Sequence, residues 1–252
     1  MAGLNDGRKY ILARRTKEDA FATRNSLLDA AEQVFYEQGV ARASLNEIAQ
    51  RAGATRGAVY WHFKDKLDLF YAMLDRVTLP LEQAAQGDCE DDSECDALEY
   101  VRRLMAVVFG RIADDDSTRR VFEILLLKVE YVGELMPVQE RNRAALDSFS
   151  SRVELALCTA AESHAVTMPM SAHQASIALC AMFDGLLQSW LLGRAFDLKQ
   201  VGAQAVDVCL RGLGFTMVEN GGLLKVVPEA EAKLQTGTVS VGEPAIRGDQ
   251  II

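Results

Sequence analysis

Proline and cysteine are both scarce in this chain, and each scarcity excludes a class of structure. Five prolines in 252 residues, together with few β-branched runs, favour helices. Five cysteines without a C-x-x-C pair are typical of a reducing compartment and argue against a disulfide framework. No unbroken apolar run approaches the ~20 residues of a membrane helix, and no charged-then-apolar leader begins the chain. We therefore expect a soluble cytoplasmic protein with no membrane partner.

The sequence patterns that carry catalysis are missing as well. None of the three histidines has a glutamate three residues before it, so the Glu-x-x-His pair of a di-iron bundle is absent. There is no Gly-rich phosphate loop and no nucleophile elbow. We therefore expect no enzyme activity, no cofactor and no metal, and a small-molecule enzyme is the least favoured alternative.

The cysteines add little to this interpretation. Cys158, Cys180 and Cys209 lie in apolar helical stretches and are expected to be small core residues. Cys89 and Cys95 flank an acidic loop whose carboxylates raise a thiol pKa, so a redox switch or metal site there is disfavoured.

The net charge of −9 is unevenly distributed along the chain. Residues 1–80 hold 12 Lys/Arg against 10 Asp/Glu, a balance of +2, whereas residues 81–252 hold 15 against 26, a balance of −11. An acidic body behind a mildly basic N-terminal region would orient that region toward a polyanion such as DNA.

One stretch, Ser44–Lys66 (SLNEIAQRAGATRGAVYWHFKDK), organises the rest of the chain. Ser44 and Glu47 have the spacing of a capping box, so a helix should begin at this point. Gly53 is expected to end that helix, and the Thr55 hydroxyl to cap a second one. The buried face of the first helix is predicted to consist of Leu45, Ile48, Ala49 and Ala52.

Two short helices joined by a glycine-containing turn are typical of a helix-turn-helix, whose second helix enters the major groove of DNA. Val59 is expected to point into the core, leaving Arg56, Gly57, Tyr60, Trp61 and His62 outward. Taken singly, Trp61 is favoured as a core aromatic residue, and His62 as a surface or hydrogen-bonded core histidine. Lys64 and Lys66, taken singly, would be a solvated helix start.

The segment from Arg24 to Lys66, above all RGAVYWHFKDK, resembles the DNA-binding domain of the TetR family of one-component bacterial regulators. Further along, EILLLKVEYVGE (Glu123–Glu134), Gln139 and AFDLK (Ala195–Lys199) resemble the AcrR-type subgroup, which represses multidrug efflux operons. The resemblance covers roughly Ala13–Gly212 and leaves both ends of the chain unexplained.

The resemblance implies which residues contact DNA. Arg56 suits guanine O6 and N7, and Tyr60 suits a thymine methyl group or a phosphate. Gly57 lets the backbone approach the groove, and the hydroxyls of Ser44 and Thr55 suit phosphates. The complete expected set is Ser44, Thr55, Arg56, Gly57, Tyr60, Trp61, His62, Lys64 and Lys66, with His62 and the two lysines completing a clamp on the DNA backbone.

The remaining organisation is predicted from periodicity and from breaks in it. We expect a flexible basic extension over 1–15, a helix-turn-helix domain over 16–79, a helical ligand-binding and dimerisation domain over 80–214, and a disordered tail over 215–252. The first helix should run over 17–38 and the fourth over 65–77, with Pro80 at the boundary. Later helices are expected near 81–86, 94–113, 117–135, 137–164, 171–192 and 199–212. Arg8, Lys9, Arg14, Arg15 and the neighbouring Lys17 would form a basic arm able to reach the DNA backbone or minor groove, which is the alternative to a disordered N-terminal extension.

The larger domain is expected to bind a ligand and to dimerise. Residues 172–192 are apolar around most of the helix, so this helix should be central or pressed against another subunit, with 141–161 completing half of a four-helix interface. The resemblance implies a hydrophobic small-molecule inducer, and the candidate pocket residues are Phe109, Phe122, Leu126, Gln139 and Trp190. Ordinary core packing is the alternative for each of them. Thr78 stands where the subgroup places an acidic residue that holds cationic drugs, so the charge of the ligand is open.

The sequence thus predicts an all-α protein, with an N-terminal three-helix helix-turn-helix domain before a larger helical domain. We expect a repressor that binds double-stranded, pseudo-palindromic operator DNA as a homodimer and is released by the inducer. The alternative is an architectural or constitutive DNA-binding protein without an inducer.

Overall fold

The structure, a computed structural model, describes the backbone of residues 6–86, 96–220 and 223–226, and the side chains of residues 17–84 and 96–216. Within these ranges the chain is helical apart from one short hairpin, which confirms the all-α prediction. The helices there are α1 (Asp6–Gln38), α2 (Leu45–Arg51), α3 (Arg56–His62), α4 (Lys66–Gln86), α5 (Ala97–Asp114), α6 (Asp116–Glu123), α7 (Met136–Ser163), α8 (Ala172–Gly193) and α9 (Leu198–Gly212). A π-helical turn (Ile124–Lys128) and a 3-10 turn (Gly133–Leu135) lie between α6 and α7.

The first four helices share a core that continues into the larger domain. The rings of Phe35 on α1 and Phe70 on α4 meet edge to face, with centroids 5.7 Å apart. The same buried cluster includes Ile48 and Val59, and it extends to Ile124 of the π-helical turn. The N-terminal helices are therefore packed directly against the segment that follows α6.

Helix α1 begins eleven residues earlier than the sequence predicted, at Asp6 rather than at residue 17. The expectation of a flexible extension over 1–15 is therefore wrong for residues 6–15, while residues 1–5 lie outside the described part. Residues 6–16 contain no proline, and lengthening an existing helix needs no new nucleus. This explains why a segment without a clear hydrophobic period is helical.

Helix α4 runs through Pro80, where the sequence predicted a boundary. A proline inside a helix removes one backbone hydrogen bond. Val77 and Leu81, on either side of it, are both buried, and their packing offsets that loss. The short helix predicted over 81–86 is the end of α4.

The single helix predicted over 117–135 is divided into three parts. Helix α6 passes into the π-helical turn, which ends at Val129 in extended backbone. The Tyr131 hydroxyl donates to the Leu125 carbonyl at 2.9 Å, and Gly133 takes a left-handed φ of +55°. Only glycine adopts that conformation at little cost, so the chain turns there before α7 begins.

The larger domain packs α5, α7, α8 and α9 around a second core. Phe183 of α8 stacks on Phe109 of α5 with ring centroids 4.4 Å apart. Gly202 lets α9 approach α5 closely, because a Cβ at that position would lie 2.4 Å from the Phe109 ring. Within the described residues, α8 is the one helix long and apolar enough to cross a membrane, a criterion that core helices of soluble proteins also meet.

The structure differs from two further predictions, the disordered tail over 215–252 and the placement of three cysteines in the core. Strands β1 (Met217–Asn220) and β2 (Leu223–Val226) pair antiparallel within the stretch expected to be disordered, whereas residues 227–252 lie outside the described part. Cys158 is exposed, so its expected place in the core is wrong, and Cys180 and Cys209 are partly buried. The acidic loop with Cys89 and Cys95 lies outside the described residues.

Candidate DNA-binding surface and its connection to the larger domain

Local hydrogen bonds fix the start of each helix of the motif, α2 and α3. The Ser44 hydroxyl accepts the Glu47 amide at 3.2 Å, which starts α2, and Gly53 makes the turn with a φ of +65°. The Thr55 hydroxyl accepts the Ala58 amide at 3.2 Å and starts α3. Each hydroxyl still has its own hydrogen to donate, so capping and contact with a phosphate are compatible.

One face of α3 is exposed, as the spacing predicted. Val59 is fully buried, whereas Arg56 and Gly57 are exposed and Tyr60 is 49% exposed. The Arg56 guanidinium lies 5.6 Å from the centre of the Tyr60 ring, and its Nη2 atom lies 3.4 Å from the Tyr60 hydroxyl. These two side chains thus form one polar unit on the helix surface.

Trp61 belongs to the same exposed face. Its side chain is 72% exposed, so the interpretation as a core aromatic residue is wrong. The indole meets the His62 ring edge to face at 4.5 Å. A large apolar ring left in water beside Arg56 and Tyr60 is typical of a binding surface.

His62 and Arg24 lie together at the C-terminal end of α3. Burial, and then the nearby Arg24 cation, lower the pKa of His62. In the free protein the neutral form of His62 is therefore favoured at pH 7, and its ring can donate a hydrogen bond in that form. Arg24, on α1, lies 4.9 Å from the centre of the Phe63 ring. Arg24 is not among the residues predicted to contact DNA, because nothing in the sequence relates it to α3.

Lys64 and Lys66, expected to act together, have different surroundings. Lys64 is exposed, and its backbone amide donates to the Asp68 carboxylate at 2.9 Å. The Lys66 side chain is only 16% exposed, and its ammonium group donates to the Ala41 and Ala43 carbonyls at 3.1 and 3.4 Å and pairs with Glu134 at 2.9 Å. Lys66 is thus engaged inside the protein and is not part of the exposed face.

A buried carboxylate joins α1, α4 and α6. Glu32 of α1 has a side chain that is 4% exposed. It accepts from Arg120 Nε at 2.7 Å, from Ser117 Oγ at 2.7 Å and from Arg76 Nη2 at 3.1 Å. Ser117 and Arg120 lie on α6 and Arg76 on α4, so one carboxylate connects both domains.

A second set of contacts joins the end of α1 to the π-helical turn. The Lys128 ammonium donates to the Tyr36 carbonyl at 2.7 Å and lies 4.1 Å from the centre of its ring. The Tyr36 hydroxyl bonds to the buried Glu123 carboxylate, which raises the pKa of Tyr36. Arg194, after α8, donates to Glu123 at 2.7 Å. These bonds form a continuous polar path from α8 to α1.

The five predicted pocket residues have different surroundings. Phe109 is buried, Gln139 is exposed, and Trp190 is buried with its indole N–H donated to the Phe196 carbonyl at 2.9 Å. Phe122 packs against both hydrophobic cores, and Leu126 packs against the second.

A cavity of about 210 Å³ lies between α5 and α9, with Phe109 and Val206 in its lining. Arg102 at this cavity is held by Asp207 at 2.7 Å and by Glu99 at 2.8 Å. No group of three potential metal ligands occurs among the residues that the structure describes.

Comparisons with known proteins agree with this architecture in both the N-terminal and the larger domain. The family model described as "Bacterial regulatory proteins, tetR family" matches residues 27–73. The model described as "MAATS-type transcriptional repressor, C-terminal region" matches residues 96–215. The HTH-type transcriptional regulator TtgR of Pseudomonas putida is 38% identical over 181 residues, which cover 72% of this chain and 86% of TtgR.

Solved structures show the same similarity. The crystal structure of NalD, described as the secondary repressor of the MexAB-OprM multidrug efflux pump in Pseudomonas aeruginosa, has a TM-score of 0.66 and 37% identity, covering 76% of this chain and 96% of NalD. SmeT, the repressor of the Stenotrophomonas maltophilia pump SmeDEF, in complex with triclosan, has a TM-score of 0.67 and 32% identity, covering 90% of this chain and 100% of SmeT. From the exposed recognition helix, the helical domain behind it and these matches, the chain belongs to the TetR family of bacterial regulatory proteins and is a DNA-binding transcriptional regulator.

Proposed function

We propose that this regulator is a cytoplasmic homodimeric repressor that binds a pseudo-palindromic operator and is released by a hydrophobic small molecule. Its regulated genes would encode a multidrug efflux pump, as stated for NalD and SmeT. The observation that carries the proposal is the exposed face of Arg56, Tyr60 and Trp61 on a short helix connected by buried polar contacts to a separate helical domain. A DNA-binding protein without an inducer would not need such a connection.

Dimerisation is supported by an exposed stripe on two neighbouring helices. On α8, Ile177, Ala181, Gly185 and Leu192 recur at helical spacing, and all are exposed in the single chain. On α7, Leu155 is 68% exposed. A Cβ at Gly185 would meet no atom within 4 Å, so the chain itself does not require glycine there. A second copy packed against this stripe would bury these residues, and glycine would allow close helix approach.

Two copies would present two α3 helices to one face of DNA. Recognition helices of such dimers bind successive major grooves about 34–36 Å apart. An inducer acts on this spacing only through its preference for one conformation over another. Phe122, which contacts both cores, and Leu126 are the residues through which a hydrophobic ligand would shift α6 and the π-helical turn.

The contacts at the domain junction would transmit that shift. Glu32 joins α6 to α1 and α4, Lys66 joins the start of α4 to Glu134, and Lys128 joins the π-helical turn to Tyr36. A movement of the segment 116–134 would therefore change its polar contacts with α1 and with α4, the two helices that pack beside the helix-turn-helix. This arrangement favours coupled movement of the two domains over independent movement.

Fluorescence anisotropy with the duplex upstream of the regulator's own gene tests the proposal. We expect binding at moderate salt that is much tighter than to a scrambled duplex, and dissociation when triclosan is added as a probe. Binding without sequence preference would favour the architectural alternative. If binding is specific but triclosan has no effect, and no compound in a panel of hydrophobic molecules shifts the melting temperature, the protein is a constitutive repressor. That result would refute the proposed release by an inducer.

Sedimentation velocity tests the dimer. Leu155→Glu on α7 should convert the dimer to a monomer, because it would place two charges in the interface. Val208→Glu on α9 is the matched control, since Val208 is 69% exposed but lies outside the stripe. A monomeric wild-type protein, or a Leu155→Glu variant that remains dimeric, would contradict the proposed interface.

A further inference from the structure

Helix α8 is followed by a residue whose backbone conformation is uncommon for arginine. Arg194 has a φ of +47° and a ψ of +35°, in the left-handed region where glycine is the common residue at the end of a helix. A glycine, Gly193, lies directly before it but remains helical. A non-glycine residue in this conformation is less stable than glycine would be, and such residues are concentrated at functional positions.

The turn after α8 holds the Arg194 side chain in place. The Arg194 amide donates to the Trp190 carbonyl at 2.7 Å, and its guanidinium lies 5.9 Å from the centre of the Trp190 ring. Trp190 is itself buried, and its indole N–H donates to the Phe196 carbonyl at 2.9 Å. The turn is thus built around one fixed ring, over which the guanidinium extends toward α6.

Glu123, the last residue of α6, is the partner of this guanidinium. Its side chain is 7% exposed and accepts from Arg194 Nη2 at 2.7 Å, whereas the arginine side chain is half exposed. The preceding cation on α6, Arg120, donates to Glu32 instead. A carboxylate buried this deeply is costly unless a cation and hydrogen-bond donors compensate it. Arg194 therefore supplies a compensating cation, and it does so from the end of α8.

The same carboxylate is bound from α1. The Tyr36 hydroxyl donates to Glu123, so Glu123 lies between α8 and α1. On one side of Tyr36 along the chain, Phe35 belongs to the same buried cluster as Val59 of α3. On the other side, Glu37 pairs with an arginine of α2 at 2.5 Å. The part of α1 that Glu123 holds is thus also the part that supports both helices of the helix-turn-helix.

We propose that Arg194 is a positioning residue for operator binding, which fixes the helix-turn-helix relative to α8 through Glu123 and Tyr36. Arg194 contacts no DNA in this arrangement and acts on α3 only through α1. Because α8 carries Leu192 of the proposed subunit contact, the same link would fix the distance between the two recognition helices of a dimer. The inference rests on the proposed function and adds the residue that relates the subunit contact to the DNA-binding surface.

The test compares the wild-type protein with two Arg194 variants and one matched control. Arg194→Met removes the cation and keeps an unbranched apolar stem, whereas Arg194→Gly also removes the cost of the left-handed backbone. The control is Lys199→Met, because the Lys199 side chain is 52% exposed and that of Arg194 is 50% exposed. Lys199 pairs with Asp114 at 2.8 Å, but Asp114 is 64% exposed, so the loss of this pair should have little effect.

Hydrogen–deuterium exchange of the free protein measures the hold on α1 without DNA. In both Arg194 variants Glu123 loses its cation and would turn toward water, away from Tyr36. We expect the amides of residues 34–40 to exchange about fivefold faster than in the wild type, while amides of α5 keep their wild-type rates. Lys199→Met should leave both regions unchanged. Faster exchange confined to residues 190–198, or spread evenly over the protein, would overturn the inference.

Fluorescence anisotropy at one salt concentration measures the effect on DNA binding. Both Arg194 variants should bind the duplex upstream of the regulator's own gene about fivefold more weakly than the wild type, with unchanged affinity for a scrambled duplex. Arg194→Gly should melt closer to the wild-type temperature than Arg194→Met and yet lose as much operator affinity. If glycine restores operator affinity together with the melting temperature, Arg194 only stabilises the fold and the inference is wrong. An unchanged operator affinity of both variants, or an equal loss in Lys199→Met, would also contradict it.

Failure of the proposed function gives a different result. It would appear as a wild-type protein that does not prefer the upstream duplex over the scrambled one. The exchange measurement requires no DNA, so it would still decide whether Arg194 holds α1 in place.

Discussion

Replacing Glu32 by glutamine tests whether the buried carboxylate holds the two domains together. The glutamine keeps the size of the side chain but removes its charge, and its amide group would face Arg76 and Arg120. Both guanidinium groups would then lose their shared anionic partner. With the carbonyl oxygen in the place of Oε2, Ser117 and Arg76 could still donate to it, while the NH₂ group would face Arg120. The expected result is a less stable protein with its fold retained.

The size of the loss follows from the exposure of the three partners. Removing one member of a fully buried ion pair costs about 3–5 kcal/mol, because it leaves an uncompensated charge in the interior. The Glu32 side chain is 4% exposed, but Arg76 is 28% and Arg120 39% exposed, so water partly compensates both cations. We therefore expect the low end of the range, about 3 kcal/mol, which corresponds to roughly 6–12 °C in melting temperature.

Thermal denaturation at a fixed protein concentration measures this loss, and Glu37→Gln is the matched control. Glu37 lies on the same helix and also pairs with an arginine, Arg51, at 2.5 Å, but its side chain is 55% exposed. Its pair should contribute little, as exposed pairs do. Equal shifts of the two variants, or no shift for Glu32→Gln, would refute the view that the buried cluster stabilises the junction.

Three further predictions follow from exposure and burial. Burial raises the pKa of Asp184, so its charged form lowers the free energy of unfolding at neutral pH. Asp184→Asn should therefore raise the free energy of unfolding at pH 7, and this gain should vanish as the pH falls through the raised pKa toward 3.8. A gain that does not depend on pH would contradict the assignment. Burial raises the pKa of Cys180 to about 11, so iodoacetamide at pH 8 should leave it unmodified in the folded protein, and labelling as fast as in urea would be the opposite result. In a Trp190→Phe variant, acrylamide should quench Trp61 strongly and operator DNA should protect it; quenching unchanged by DNA would place Trp61 outside the interface.

The features of the fold that sequence predicted best depend on near neighbours. Ser44, Gly53 and Thr55 act within four residues of their own positions, and the structure gives each the predicted role. The helix breaks were harder to predict, because Pro80 is tolerated through packing of residues on both sides of it. The division of 117–135 is likewise accompanied by a contact between residues far apart in sequence, since Lys128 donates to the Tyr36 carbonyl.

In the candidate site, too, features set by near neighbours in sequence could be predicted, and features set by distant contacts could not. The outward face of α3 could be predicted because helical spacing decides which residues lie opposite Val59. The role of Lys66 could not, because its main partner, Glu134, follows it by 68 positions along the chain. Glu32 has the sequence context of a surface residue on an amphipathic helix, and only the meeting of α1, α4 and α6 shows that it is buried.

Operator selection by α3 is tested most directly by the affinity of wild-type protein and of Arg56→Ala for two duplexes of equal length at one salt concentration. One duplex is the upstream region of the regulator's own gene, and the other is a scrambled sequence. We predict that Arg56→Ala loses about 1–3 kcal/mol on the operator, roughly 5- to 150-fold, with little change on scrambled DNA. An equal loss on both duplexes, or no loss on either, would contradict the conclusion that the exposed face of α3 selects the operator.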